Sequence, residues 1–77
     1  MRLDLVLKQS GLIKRRVVAK ALADNGKVLI NDKNAKPSAE VSDDDILTLH
    51  LGQKVLKVKI TFVQKGKRLI PNYEQLL

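Results

Sequence analysis

The chain has 77 residues, of which 44% are hydrophobic and 30% charged, and it contains no cysteine. This length fits one small domain (residues 1–77), which buries roughly 60% of the surface of its unfolded chain and leaves little room for an enclosed catalytic pocket. The lack of cysteine excludes a disulfide framework and a thiolate metal site. No apolar run reaches the length of a membrane span, and Asp4 and Lys8 interrupt the apolar N-terminus. We therefore expect a cytoplasmic protein without a signal peptide or a membrane partner.

The charges are distributed unevenly along the chain. Fifteen lysines and arginines against eight aspartates and glutamates give a net charge of +7. Residues 2–20 carry six cations and one anion, and residues 54–68 carry six cations and no anion, whereas residues 21–53 carry three cations and six anions. Two basic segments around an acidic middle predict one polarised surface if the fold brings the ends together. A polyanion is the expected partner.

Two helices are predicted at the start of the chain. The first covers about residues 3–9, because apolar side chains recur there at the i, i+3, i+4 spacing, and Ser10-Gly11 interrupts it. The second covers about residues 14–24. Asn25-Gly26 ends it, since glycine tolerates the left-handed conformation needed just beyond a helix end.

The second helix is predicted to bury an apolar side and to expose a basic one. The residues predicted to be buried are Val17, Val18, Ala21 and Leu22. Arg16 and Lys20 lie one turn apart on the other side, with Ala19 and Ala23 beside them. Long cationic side chains above alanines can reach a phosphate backbone without obstruction. An ordinary amphipathic helix with a solvated basic face is the alternative, and this segment alone does not separate the two.

An extended pattern follows Gly26. A short strand is predicted over residues 27–30, with turn residues at 31–34 and a brief return near Ala35. Residues 46–51 then alternate, with leucines on one side and Thr48 and His50 on the other, as in a half-buried strand.

The last predicted strand, about residues 55–63, alternates most clearly. Its apolar residues are Leu56, Val58, Ile60 and Phe62. Lys57, Lys59 and Thr61 face the other way, which predicts a basic sheet face. Residues 64–77 are left as a short C-terminal tail, and the role of Ile70 to Leu77 is not assigned.

Catalytic and metal-binding patterns are weak. His50 is the only histidine, so a histidine-rich metal site is excluded, and the chain has no recognisable nucleophile for a Ser-His-Asp arrangement. Asp43-Asp44-Asp45 lacks the spaced ligands of a calcium loop and is interpreted as a polar turn. One tyrosine and one phenylalanine provide no platform for stacking bases. We expect no enzyme activity and no cofactor, and binding that depends on charge and shape.

Three short motifs occur in a characteristic order along the chain. They are Arg2-Leu3-Asp4, then Leu12 to Arg16 with Ala19 after it, then Gly26-Lys27-Val28 with Ile30-Asn31. In order and spacing they resemble the S-four RNA-binding domain, the family named for the fourth small-subunit ribosomal protein. The resemblance implies an α+β fold in which a two-helix alpha-L motif, within about residues 2–51, packs on a small, mainly antiparallel β-sheet.

The resemblance also implies which residues contact RNA. The expected RNA-binding residues are Arg2, Lys8, Lys14, Arg15, Arg16 and Lys20, with Lys54, Lys57 and Lys59 as a secondary set. Asp4 is interpreted as a structural residue that complements the helix dipole and orients a neighbouring arginine. Arg15 stands where the family more often has a small hydroxyl residue. Asp32 and Asp44 stand where it usually has glycine, which leaves the geometry of those two turns open.

Among members of the family, the chain most resembles the free-standing bacterial heat-shock-fifteen-like and ribosome quality-control P proteins. Those relatives bind large ribosomal subunits obstructed by peptidyl-tRNA. The resemblance thus implies contacts with ribosomal RNA and tRNA, with a quality-control tailing factor as a further partner, and a monomer when free. A generic or regulatory module for structured RNA is the alternative, and a protein-interaction adaptor with an acidic partner is a third reading.

Overall fold

The computed structural model describes all residues, 1–77, as two helices beside one five-stranded antiparallel sheet. The elements are α1 (Leu3–Gln9), α2 (Arg16–Asp24), β1 (Val28–Ile30), β2 (Lys33–Asn34), β3 (Ile46–Leu51), β4 (Lys54–Lys65) and β5 (Arg68–Gln75). The strands lie in the order β2-β1-β3-β4-β5. Neither helix has the length and apolar character needed to cross a membrane. The α+β fold expected from the sequence is confirmed.

Helix α1 supplies much of the core. Leu3, Val6 and Leu7 are completely buried. The N-cap residue, Arg2, forms no side-chain capping hydrogen bond. Instead, the backbone amides of Leu3 and Asp4 donate to the carbonyls of Ala39 and Pro37 at 2.8 and 3.1 Å. The segment between β2 and β3 therefore satisfies donors that a helix N-terminus leaves free.

The predicted buried side of α2 is wrong. The structure exposes Val17, Val18 and Ala21, and only Leu22 of the predicted set is partly buried against the core. Ala19 and Ala23 are buried instead. Because α2 lies against α1 and the start of β1, small residues on that side allow the backbones to approach closely. On the helix surface Arg16 and Lys20 lie next to these alanines, so they border the buried stripe. The helix also starts at Arg16 rather than near residue 14.

The predicted alternation of the central strands is confirmed for the apolar residues that face the core, but β3 is not half-buried, because Thr48 on its other face is buried as well. Leu47 and Leu49 of β3 and Val58 and Ile60 of β4 are completely buried. Pairing of β3 with β4 extends from Ile46 opposite Lys59 to Leu51 opposite Lys54. The opposite face of β4 carries Lys57 and Lys59, as expected from the alternation.

The expected C-terminal tail at residues 64–77 forms a strand over most of its length, and β4 extends two residues beyond the expected end at 63. Strand β5 (Arg68–Gln75) pairs with β4 from Lys65 opposite Arg68 to Val58 opposite Gln75. Pro71 lies in the middle of β5, and a proline in an apolar run argues against a central strand. It is tolerated here because β5 is the edge of the sheet.

The two turns with aspartate in place of glycine keep the glycine-like backbone. Asp32 and Asp44 both have φ of 69°. Aspartate tolerates this left-handed region better than most residues. Asn31, with φ of 50°, accepts a hydrogen bond from the Ile46 amide and donates one to Asp45, which ties the β1–β2 turn to the start of β3.

The aspartate triplet forms a polar turn, as interpreted from the sequence. The Asp43 carboxylate accepts the Phe62 backbone N–H at 2.8 Å, and the Asp45 carboxylate accepts the Ser42 backbone N–H at 2.8 Å. The Asp43 carboxylate therefore holds the loop before β3 against β4, while the Asp45 carboxylate bonds within the loop.

Candidate nucleic-acid interface

A buried carboxylate joins the N-terminal ends of the two helices. The side chain of Asp4 is only 3% exposed, yet two arginines lie beside it. Nη2 of Arg2 is 3.2 Å from Oδ2 of Asp4, and Nε of Arg16 is 3.4 Å from the same oxygen. Both arginine side chains remain half exposed. One face of each guanidinium is therefore held by the protein while the other is available to a ligand.

The backbone around Asp4 fixes the position of this cluster. Oδ1 of Asp4 accepts the Leu5 backbone N–H at 2.8 Å, and it also accepts a hydrogen bond from Nε of Arg2. Arg2 itself forms an isolated β-bridge with Glu40, which ties its backbone to the segment between β2 and β3. Arg16 is the first residue of α2. Two segments distant in sequence thus meet at one carboxylate.

Opposing effects act on the pKa of Asp4. Burial raises the pKa of this carboxyl group, but the positive charges of Arg16 and Arg2 and the Leu5 N–H hydrogen bond lower it. The net pKa lies below the ordinary value of 3.8. Asp4 is therefore ionised at neutral pH and holds both arginines by charge.

A shallow depression of about 280 Å³ lies over this cluster. It is lined by Arg2, Asp4, Arg16, Val17 and Lys20. Three cations against one carboxylate leave the lining positive. Arginine presents a planar set of donors that matches phosphate oxygens, and lysine adds a mobile point charge. The depression therefore suits a phosphate of a nucleic-acid backbone.

The structure brings together half of the expected RNA-binding residues. Arg2, Arg16 and Lys20 line the depression, whereas Lys8, Lys14 and Arg15 do not. The latter three are exposed and form no ion pair. Lys8 lies one turn after Asp4 on α1, and Lys14 and Arg15 immediately precede α2. These three cations are therefore close in sequence to the lining residues but do not line the depression themselves.

The secondary set is partly neutralised. Nζ of Lys57 is 4.0 Å from the Asp32 carboxylate, and Nζ of Lys59 is 3.7 Å from the Asp44 carboxylate. Lys54 is exposed at the β3–β4 turn and has no such partner. The basic sheet face is thus less positive than the sequence of β4 alone indicates.

Val17 also lines the depression, although its hydrophobicity predicts a place in the core. Its surface is 79% exposed beside Arg16. In the sequence, only its position next to Arg16 and three residues before Lys20 indicates that Val17 lies at the surface of the basic cluster. Its hydrophobicity indicates burial instead. An exposed apolar side chain among cations can contact a ribose or base while the cations hold phosphates.

The fold and the positive depression define a small basic nucleic-acid-binding domain. The profile of the family described as "S4 domain", the S-four RNA-binding family, matches residues 1–47. The chain belongs to this family. The family model covers both helices, β1, β2 and the start of β3.

Curated relatives carry one name. The chain is 50% identical to the "RQC P-site tRNA stabilizing factor" of Bacillus subtilis over 60 residues, which cover 78% of this chain and 70% of that protein. It is 41% identical to the protein of the same name from Listeria innocua over 68 residues, covering 88% and 74%. Among solved structures, Vibrio cholerae heat shock protein 15, described as trimeric, matches with a TM-score of 0.79 and 28% identity, over 97% of this chain and 80% of that one.

Proposed function

We propose that this protein is a non-enzymatic RNA-binding factor of ribosome quality control. It binds ribosomal RNA and tRNA on large ribosomal subunits that are obstructed by peptidyl-tRNA. The observation that carries the proposal is the pair of half-exposed arginines, Arg2 and Arg16, held at one buried carboxylate. The names of the relatives, which specify the tRNA of the P site, supply the cellular context.

The geometry supports RNA as the ligand on physical grounds. Phosphate contacts supply most of the affinity of a protein that reads charge and shape rather than base edges. Arg2 and Arg16 are already oriented by Asp4, so less side-chain freedom is lost when they bind a phosphate. With one phenylalanine and one tyrosine in the chain, stacking contributes little. Binding should therefore follow RNA shape and phosphate positions more than sequence.

The proposal extends to the setting of this activity. The protein acts in the cytoplasm, where bacterial ribosomes are found, as a monomer before it binds. A factor that extends the stalled nascent chain is its functional partner, since the chain to be extended is attached to the P-site tRNA that the relatives' name describes as stabilised. The second candidate function is a general or regulatory module for structured RNA, and the positive depression alone is equally suited to it.

Binding to defined ribosomal particles tests the proposal. We expect the purified protein to sediment with large subunits that retain peptidyl-tRNA, and much less with vacant large subunits or small subunits. If about four to six phosphates are neutralised, the logarithm of the affinity should fall with the logarithm of salt concentration at a slope of about −3 to −5. Equal binding to all particles and to free messenger RNA would favour the general module. Salt-insensitive binding would contradict both candidates.

A further inference from the structure

The β4–β5 hairpin projects from the sheet. The last hydrogen bond between β4 and the loop before β3 is at Phe62, whose backbone N–H donates to Asp43. Residues 63–69 beyond this point are all exposed. The three residues of β4 after Phe62 carry the tip about 10 Å outward at about 3.3 Å per residue. The tip, defined as residues 63–69, is therefore a narrow two-stranded ribbon surrounded by solvent.

The tip is strongly basic and has no internal counter-charge. Lys65, Lys67 and Arg68 lie within four residues, and residues 63–69 contain no acid. None of the three cations takes part in an ion pair, whereas Lys57 and Lys59, nearer the start of β4, are both paired. The six cations of residues 54–68 thus differ in their availability, and half of them lie at the tip.

The geometry of the tip places like charges together. Lys65 is directly opposite Arg68 in the register of the two strands. Like charges in such positions repel and destabilise a strand pair. The turn is nevertheless well defined, because Gly66 has φ of 59° and its carbonyl accepts a hydrogen bond from Nε2 of Gln64 at 2.8 Å. Binding of a polyanion would relieve this repulsion.

Protection of a sheet edge is the simplest competing explanation, since lysines on edge strands discourage aggregation. One or two scattered lysines along β5 would serve that purpose. Here the cations are concentrated at the turn, and β5 between Leu69 and Tyr73 contains no charged residue. The placement therefore fits a contact made by the end of the ribbon.

We propose that Lys65, Lys67 and Arg68 form a second phosphate-contacting surface, so that the protein holds RNA at two separate places. The inference rests on the proposed RNA-binding function. The major groove of an A-form helix is too deep and narrow for side chains to read its bases. The ribbon therefore contacts phosphates, and its binding is independent of base sequence. The first surface is the depression at Arg2 and Arg16.

A pair of triple variants with the same charge change tests the proposal. The tip variant is Lys65→Ala/Lys67→Ala/Arg68→Ala, and the matched control is Lys27→Ala/Lys33→Ala/Lys36→Ala. All six cations are exposed and unpaired, and both variants lose three charges. Affinities for purified tRNA and for large subunits carrying peptidyl-tRNA are measured across a range of salt concentrations. Circular dichroism confirms that both variants are folded.

We expect the tip variant to lose about tenfold or more in affinity at low salt and its salt slope to become shallower by about 2 to 3 units. The control should change its slope by less than about one unit. Equal changes in the two variants would overturn the proposal. The proposal would also be overturned if the tip variant kept the salt slope of its RNA binding but no longer bound phosphatidylserine vesicles or polyglutamate.

A second measurement uses the unmodified sequence. Lysine acetylation followed by mass spectrometry should show Lys65 and Lys67 protected in the RNA complex, with Lys33 and Lys36 still reactive. Reactive Lys65 and Lys67 in a saturated complex would contradict the second surface. If the protein binds tRNA through the tip but does not bind large subunits, the ribosomal function fails while the second surface stands. If large subunits bind the tip variant and its control equally well, the second surface fails while the ribosomal function stands.

Discussion

Nε of Arg16, the first residue of α2, lies 3.4 Å from Oδ2 of Asp4 in α1. This ion pair gives Arg16 two functions. Inside the protein it balances a buried carboxylate, and outside it presents the rest of its guanidinium to the depression. Changes at either residue therefore affect both stability and ligand binding, and the experiments below are designed to separate the two.

Arg16→Ala should weaken RNA binding by about 1–3 kcal/mol, because it removes an oriented cation from the depression. It should also lower the free energy of unfolding by about 1–3 kcal/mol, since Asp4 keeps only Arg2 as a charged partner. Filter binding at one salt concentration and urea unfolding measure the two effects.

Lys33→Ala is the matched control for Arg16→Ala. It removes the same formal charge from a site in β2 that is exposed and unpaired. Its effect on RNA affinity should be a few tenths of a kcal/mol, through the weaker overall field. Equal losses in the two variants would mean that net charge alone attracts RNA, and that the depression is not the contact surface.

Asp4→Asn tests whether Asp4 acts on RNA binding through its charge or by orienting the two arginines, because the two cases change RNA affinity in opposite directions. The variant has one more unit of net positive charge, so a pure field effect would strengthen RNA binding. If Asp4 acts by orienting Arg2 and Arg16, binding should instead weaken, by about 1 kcal/mol, because both side chains regain freedom that they must lose on binding. Tighter RNA binding by this variant would contradict the orienting role.

Acid should destabilise the protein partly through Asp4. A carboxyl group whose pKa is lowered in the folded state adds stability above its unfolded pKa, and this stability disappears as the pH falls through the lowered value. For Asp4 the loss begins near pH 3.8 and continues below it. Urea unfolding at pH 7 and at several pH values below 4 should show a steeper decline for the wild type than for Asp4→Asn. Parallel curves would show that Asp4 is not linked to folding.

Val17→Asp should weaken RNA binding clearly and leave stability nearly unchanged. Val17 is 79% exposed, so its substitution removes little packing, and surface changes of this kind are usually within about 0.5 kcal/mol. A new carboxylate in the depression would repel phosphate. Val17→Thr, which keeps the shape without the charge, is the control and should bind RNA almost normally. A large loss of stability in both variants would mean that Val17 is packed after all.

Asp32→Gly should stabilise the fold. Asp32 has φ of 69°, a region that is costly for residues with a side chain, and its ion pair with Lys57 is long and exposed. We expect a net gain of about 0.5–1 kcal/mol in the free energy of unfolding. This net value already includes the opposing effect of glycine, which has greater freedom in the unfolded chain. Asp32→Ala removes the same charge but keeps Cβ, so it should not gain this stability. Equal thermal unfolding of both variants would contradict the backbone explanation.

Local spacing determined much of this protein. Gly11 and Gly26 break the chain where the helices end, and the alternation in β3 and β4 defines which side chains face the core. These features depend on neighbours in sequence, so they can be predicted from the order of residues. The motif Arg2-Leu3-Asp4 and the cations near α2 likewise indicated the family, and they led to the proposed RNA-binding surface.

Tertiary packing decided the rest. Whether Val17 or Ala19 is buried depends on how closely α1 approaches α2, and the short distance allowed by alanine outweighs the greater hydrophobicity of valine. The pairing of β5 across Pro71 requires an edge position, which appears only after the sheet is assembled. Asp4 and Arg16 are twelve residues apart, and their ion pair forms because two helices meet. A one-dimensional pattern does not contain these distances, because each is set by elements that contact one another only in the folded chain.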